Sequence, residues 1–181
     1  MYYAGIDYSL TSPAICLTRD FSEQTTRYYY LTNKKKYDGR FMGGTCQGSL
    51  AFPYSSQEER FDNISNWVMA VLSDYDVKHV FIEDYAMGAK GRVFHIGENT
   101  GLLQHKLWKD KYSFTKIAPT VVKKHATGKG NAKKEQMYDA WIDRFGGNLI
   151  EEFSQNKLDN PVTDIIDAFY IAETGACSLE S

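Results

Sequence analysis

Residues 4–12 read AGIDYSLTS. A short apolar run, Tyr2 to Ile6, delivers one carboxylate, Asp7, into a segment of small hydroxyl residues. An acid at the end of a buried-looking strand can cap the following turn, stand beside a nucleotide phosphate, or hold a metal ion. The stretch alone leaves all three open, and the choice depends on which other residues accompany Asp7.

The chain of 181 residues is long enough to bury a substantial core as one domain, 1–181. Its 43% hydrophobic and 24% charged composition is that of an ordinary globular protein. Cys16, Cys46 and Cys177 are odd in number and scattered, without metal-ligand or disulfide spacing, which favours a reducing, intracellular setting. No apolar run approaches the ~20 residues that span a bilayer, and no signal-peptide pattern opens the chain. A soluble, non-secreted protein is expected.

The net charge of −2 conceals a strong polarity. Residues 88–134 hold eleven Lys/Arg against two acids, whereas residues 135–181 hold two against ten. A chain divided this way can set a positive face beside an acidic pocket, the combination needed to cut a polyanion with metal ions. Solvated helix faces would give the same composition.

Short strands are expected at 2–7, about 13–18 and about 25–31, joined by turns as an antiparallel meander. The Gly-rich, charged segment 33–55 reads as a mobile loop or an extended hairpin. Ser56 and Glu59 have capping-box spacing ahead of a helix. VKHVFIED (77–84) is a buried strand that again ends in acids, and 112–118 is another strand. Helices are expected at 92–108, at 120–128 closed by Gly128, at 131–146 with Asn131 as N-cap, and from Pro161 onward. This order specifies a mixed-sheet α/β domain.

Four acids then stand out: Asp7 and Glu83 at strand ends, and Asp164 and Asp167 three apart on one helix face. If the first and fourth strands are neighbours, the last helix can bring all four together. Crowded carboxylates repel unless a cation neutralises them, and hard divalent ions such as Mg²⁺ accept such oxygens. Each acid also has a plain explanation, Asp164 as a first-turn residue complementing the helix dipole among them. Asp167 interrupts an otherwise apolar helix, and the four together favour the metal.

YYAGIDYS, VKHVFIEDYAMG, HIGENTGLL, PTVVKKHATGKGNAKKEQM and DIIDAFYIA resemble, in order, the motifs of RuvC-type Holliday junction resolvases. The resemblance implies a ribonuclease H-like fold with a mixed five-stranded sheet flanked by helices. It implies a homodimer that resolves four-way DNA junctions by paired symmetric nicks, using two Mg²⁺ or Mn²⁺ ions per site. The family's catalytic acids and metal ligands fall on Asp7, Glu83, Asp164 and Asp167, its dimer helix on Gly97 and Gly101, and its DNA contacts on Lys123 and Lys134. Lys124, Lys129 and Lys133 are expected as further phosphate contacts. The chain departs from the bacterial pattern at Tyr8-Ser9, where that pattern has Pro-Gly, and at Ala86, where it has an aromatic; Tyr85 is the nearest substitute. A viral or organellar homologue is consistent with these departures.

Three other classes compete. A sugar-kinase or actin-like ATPase opens with a similar strand, but needs two such domains and several phosphate loops. Another ribonuclease H-like nuclease, acting on flaps, branched DNA or RNA–DNA hybrids, would share the fold and the metal chemistry. A non-catalytic DNA-binding module would have no use for four repelling carboxylates.

Overall fold

The computed structural model describes residues 1–84 and 93–180. Strands β1 (Tyr2–Asp7), β2 (Ala14–Thr18) and β3 (Arg27–Thr32) form the antiparallel meander, closed by turns at both ends. In the first turn Ser9 Oγ accepts from the Ser12 N–H at 3.1 Å. A local hydroxyl therefore stabilises this turn, a task that Asp7 was one candidate for.

Residues 33–55 extend the sheet. β4 (Gly39–Phe41) and β5 (Cys46–Leu50) pair antiparallel across a turn in which Gly43 and Gly44 take φ of 61° and 92°. Such angles are free of steric cost only without a Cβ. β5 then pairs parallel with β3. After helix α1 (Gln57–Ser73) come β6 (Val77–Glu83), helix α2 (Val93–Lys109) and β7 (Phe114–Ile117). The sheet order is β4-β5-β3-β2-β1-β6-β7, so the sheet has seven strands among the described residues rather than the five expected. The two added strands come from the Gly-rich segment, whose short length and missing period hid them.

The chain ends in α3 (Pro119–Thr127), α4 (Lys134–Phe145), the single turn α5 (Leu149–Glu152) and α6 (Val162–Glu180). Two helix ends confirm their sequence signals: Ser56 accepts from the Glu59 N–H at α1, and Gly128 closes α3 in the left-handed region. The N-cap of α4 is Lys133 rather than Asn131, with Gln136 reaching back to the Lys133 N–H at 3.0 Å.

Strand parity divides the core into two layers. Tyr3, Tyr28, Tyr30 and Phe81 face α4 and α6, packing with Trp141, Phe153 and Phe169. Ala4, Ile6, Leu17, Val80 and Ile82 face α1 and α2, packing with Leu72, Leu103 and Leu107. On β1 the α6-facing set continues through Gly5 to Asp7, and on β6 it runs from Phe81 to Glu83. Parity thus sends both acids to the α6 side.

Candidate active site

β1 and β6 are parallel neighbours with Ile6 opposite Ile82. Asp7 and Glu83 follow one residue later, side by side at the carboxyl ends of the two strands. α6 crosses the same face at very short range. A Cβ on Gly5 would overlap the Ala168 carbonyl oxygen and the Ala172 nitrogen, so only glycine admits the helix backbone here. Asp167, immediately before Ala168, is thereby held against Asp7. Gly5 is the structural residue that sequence reading passed over; its signal was a glycine in a strand facing a helix with alanines four apart.

Asp7, Glu83 and Asp167 line a cavity of about 860 Å³, together with Ser9, Asn99 and Lys123 among others. Lys133 and Lys134 border the same cavity. Asp164 lies behind it, only 6% exposed. Thr163 Oγ1 approaches its Oδ1 at 3.4 Å, and Ser12, itself held by the Asn160 amide at 2.7 Å, is a second hydroxyl partner. Its Oδ2 has no hydrogen-bond partner among the described residues.

The electrostatics are those of a crowded anionic site. Burial, then Asp164, Glu83 and Asp167, hold the Asp7 carboxyl well above the ordinary range. Burial raises Glu83 to about 7, with Asp167 adding to it. Burial likewise raises Asp164 to about 7 and Asp167 to about 6, with Lys134 opposing both and Lys123 opposing the second. Among the described residues, no three His, Cys, Asp or Glu side chains converge closely enough to hold one ion between them. The donor set still suits a hard cation, because Mg²⁺ takes one or two carboxylates and keeps waters for the remaining positions. The unpartnered Asp164 oxygen fits the same chemistry, since a buried carboxylate oxygen without a partner is costly.

The remaining sequence candidates separate. Lys123 faces the carboxylates, whereas Lys124, next on α3, borders a different hollow with Val121, His125 and Cys177. Lys129 is exposed in the link between α3 and α4. Gly97 and Gly101 lie on α2 with open space where a Cβ would stand. Tyr85 lies outside the described residues. Asn99, fully buried and accepting from the Tyr8 hydroxyl at 3.2 Å, ties α2 to the segment after Asp7 and escaped sequence reading.

A model of the crossover junction endodeoxyribonuclease RuvC family matches residues 43–145. The chain belongs to the RuvC family. The matched stretch includes Glu83, Lys123, Lys133 and Lys134 but not Asp7, Asp164 or Asp167, which the fold brings to the site from outside it. Three solved structures are similar over most of their length. RuvC from Thermus thermophilus in complex with Holliday junction substrate has a TM-score of 0.67 at 17% identity, covering 99% of this chain and 94% of that one. The yeast mitochondrial Holliday junction resolvase Ydc2 has a TM-score of 0.57 at 15% identity, covering 94% and 75%. The fowlpox virus resolvase, solved with its Holliday junction DNA, has a TM-score of 0.55 at 15% identity and covers the whole of both chains. No curated protein matches significantly in sequence. Among the described residues no helix is long and apolar enough to cross a membrane.

Proposed function

We propose that this RuvC-family nuclease resolves four-way DNA junctions by divalent-metal-dependent phosphodiester hydrolysis at the cavity bounded by Asp7, Glu83 and Asp167. The observation that carries the reading is one cavity lined by carboxylates from β1, β6 and α6, Asp7, Glu83 and Asp167, with Asp164 behind it and Lys123 and Lys134 at its border. Asp7 and Asp167 would be the principal metal ligands, Glu83 would bridge or orient the attacking water, and Asp164 would complete the set. Bound Mg²⁺ or Mn²⁺, two ions per site, would supply an activated water and stabilise the leaving 3′ oxygen. The lysines offset carboxylate repulsion and draw the phosphate backbone towards the cavity.

The active form is a homodimer, because two cuts in a twofold-symmetric junction suit two identical sites. Support comes from α2, where Phe94 and Trp108 are 82% and 69% exposed on the stripe that carries Gly97 and Gly101. Gly101→Leu fits the isolated chain, where the position is open, but blocks close approach of a second helix. Sedimentation equilibrium is expected to show a monomer with unchanged circular dichroism; a persistent dimer would remove this face from the interface.

The function is tested by incubating the protein and Mg²⁺ with a four-way junction, a flap, a linear duplex and an RNA–DNA hybrid. Paired symmetric nicks in the junction, abolished by chelation, are expected; preferential cutting of the hybrid or the flap would redirect the assignment. Lys123→Ala and Lys134→Ala are each expected to weaken junction binding. Each should also reduce the slope of log affinity against log salt by about 1, measured by fluorescence anisotropy. An unchanged slope would exclude a phosphate contact.

A further inference from the structure

Beyond the carboxylate site, the sheet edge carries a second feature that the chemistry does not use. β1, β3, β5, β6 and β7 all run in one direction, so their carboxyl ends emerge together with Asp7 and Glu83. Ligands of α/β sheets gather at that edge. The segments leaving β3 and β5 there are NKKK (33–36) and AFPYSS (51–56).

Phe52 and Tyr54 are each half exposed, a large apolar area for a solvent-facing segment. The Arg60 guanidinium lies 5.0 Å from the centre of the Tyr54 ring, and its Nη2 donates to the Leu10 carbonyl at 2.7 Å. Leu10 and Thr11 line both the catalytic cavity and the hollow bounded by Phe52, Tyr54 and Arg60, so the two surfaces are continuous. Of the lysines that follow Asn33, which borders the hollow, Lys34 pairs with Asp159 at 3.1 Å, Lys36 lies 4.6 Å from the centre of the Tyr37 ring, and Lys35 is exposed. Of the acids nearby, Glu59 is turned onto Ser55, and Glu58 is exposed on the first turn of α1. Exposed aromatic rings interleaved with cations are the composition that stacks and holds single-stranded nucleic acid.

We propose that Phe52 and Tyr54, with Arg60, form a stacking platform for an unpaired base of the junction strand. The inference rests on the junction-cleaving reading. The platform stands three strand positions from β1, about 14 Å across the sheet edge at ~4.8 Å per strand. It therefore receives nucleotides flanking the scissile phosphate rather than the phosphate itself. A base stacked here would be held open from the duplex.

The test compares the full chain with Phe52→Ala/Tyr54→Ala, both carrying Asp7→Asn to prevent cleavage. Anisotropy titrations use a four-way junction, a linear duplex and a single-stranded oligonucleotide, with 2-aminopurine near the junction crossover. The expected result is a loss of junction and oligonucleotide affinity of about tenfold or more, with loss of 2-aminopurine quenching and no change for the duplex. Unchanged affinity and quenching in the double variant would overturn the platform while leaving the junction reading intact. A parent chain that does not prefer the junction would instead overturn the junction reading. The oligonucleotide titration then decides the platform by itself, a tenfold loss supporting it and no loss overturning it. A change of oligomeric state with unaltered DNA affinity would make the patch an interface between copies and overturn the proposal.

Discussion

Replacing Asp7 with Asn is expected to lower junction cleavage by about 10³-fold while junction affinity holds or rises. Asn keeps the shape of the side chain but removes one negative charge from the site proposed to accept a cation and a phosphate. Gel assays of cleavage and of binding, run on the same preparation, separate the two effects. Full cleavage by this variant, or by Asp167→Asn, would remove these carboxylates from the chemistry.

The same substitution carries a stability signature. The buried carboxyls of Asp7, Glu83, Asp164 and Asp167 all lie above their ordinary range in the folded chain, three of them at about 6 to 7. Groups raised in this way favour the folded state below pH ~4, where both states are protonated. That contribution is lost as pH rises through about 7, because folding then confines charges that the unfolded chain solvates. Metal-free Asp7→Asn is therefore expected to melt at a higher temperature than the parent at pH 8, by about 3 °C, with the gap closing towards pH 5. A parent that is already the more stable at pH 8 without metal would contradict the crowding.

Gly5→Ala is expected to destabilise the fold by about 3 kcal/mol, a drop in melting temperature of about 10 °C. The added methyl meets backbone atoms of Ala168 and Ala172, which cannot rotate aside as a flexible side chain would. Relief requires α6 to lift from β1, and the helix carries Asp164 and Asp167 with it. Cleavage is thus expected to fall further than the fraction of unfolded protein accounts for. Gly97→Ala made in the monomeric Gly101→Leu chain provides the contrast: its Cβ meets nothing there and sits in a helix, where alanine is favoured by about 1 kcal/mol. Thermal denaturation of the two variants should give opposite signs, and equal effects would show that Gly5 does not set the helix spacing.

Much of the site was legible in the residues because it rests on local rules. Two apolar strands that end in acids, and two acids three apart on an apolar helix, give away their placement through periodicities of 2 and 3.6. The N-cap at Ser56 and the left-handed Gly128 are equally local. Aromatic content was less informative: Phe153 and Trp141 turned out to be core, whereas Phe52 and Tyr54 stand in solvent. No pattern over six residues distinguishes these cases.

By itself the sequence determined the class of the fold, the direction in which each acid faces its strand or helix, and the separation of basic and acidic segments. Only the tertiary structure decided which of these meet. The short strands of 33–55 exist because β3 offers a free edge for β5 to pair with, an interaction between residues distant in sequence. Lys123 is directed to the carboxylates and Lys124 away from them by the packing of α3, although the two are adjacent and chemically alike. Asp7 gained its neighbours because Gly5, two residues earlier on the same face, lets a helix from the far end of the chain come to backbone contact.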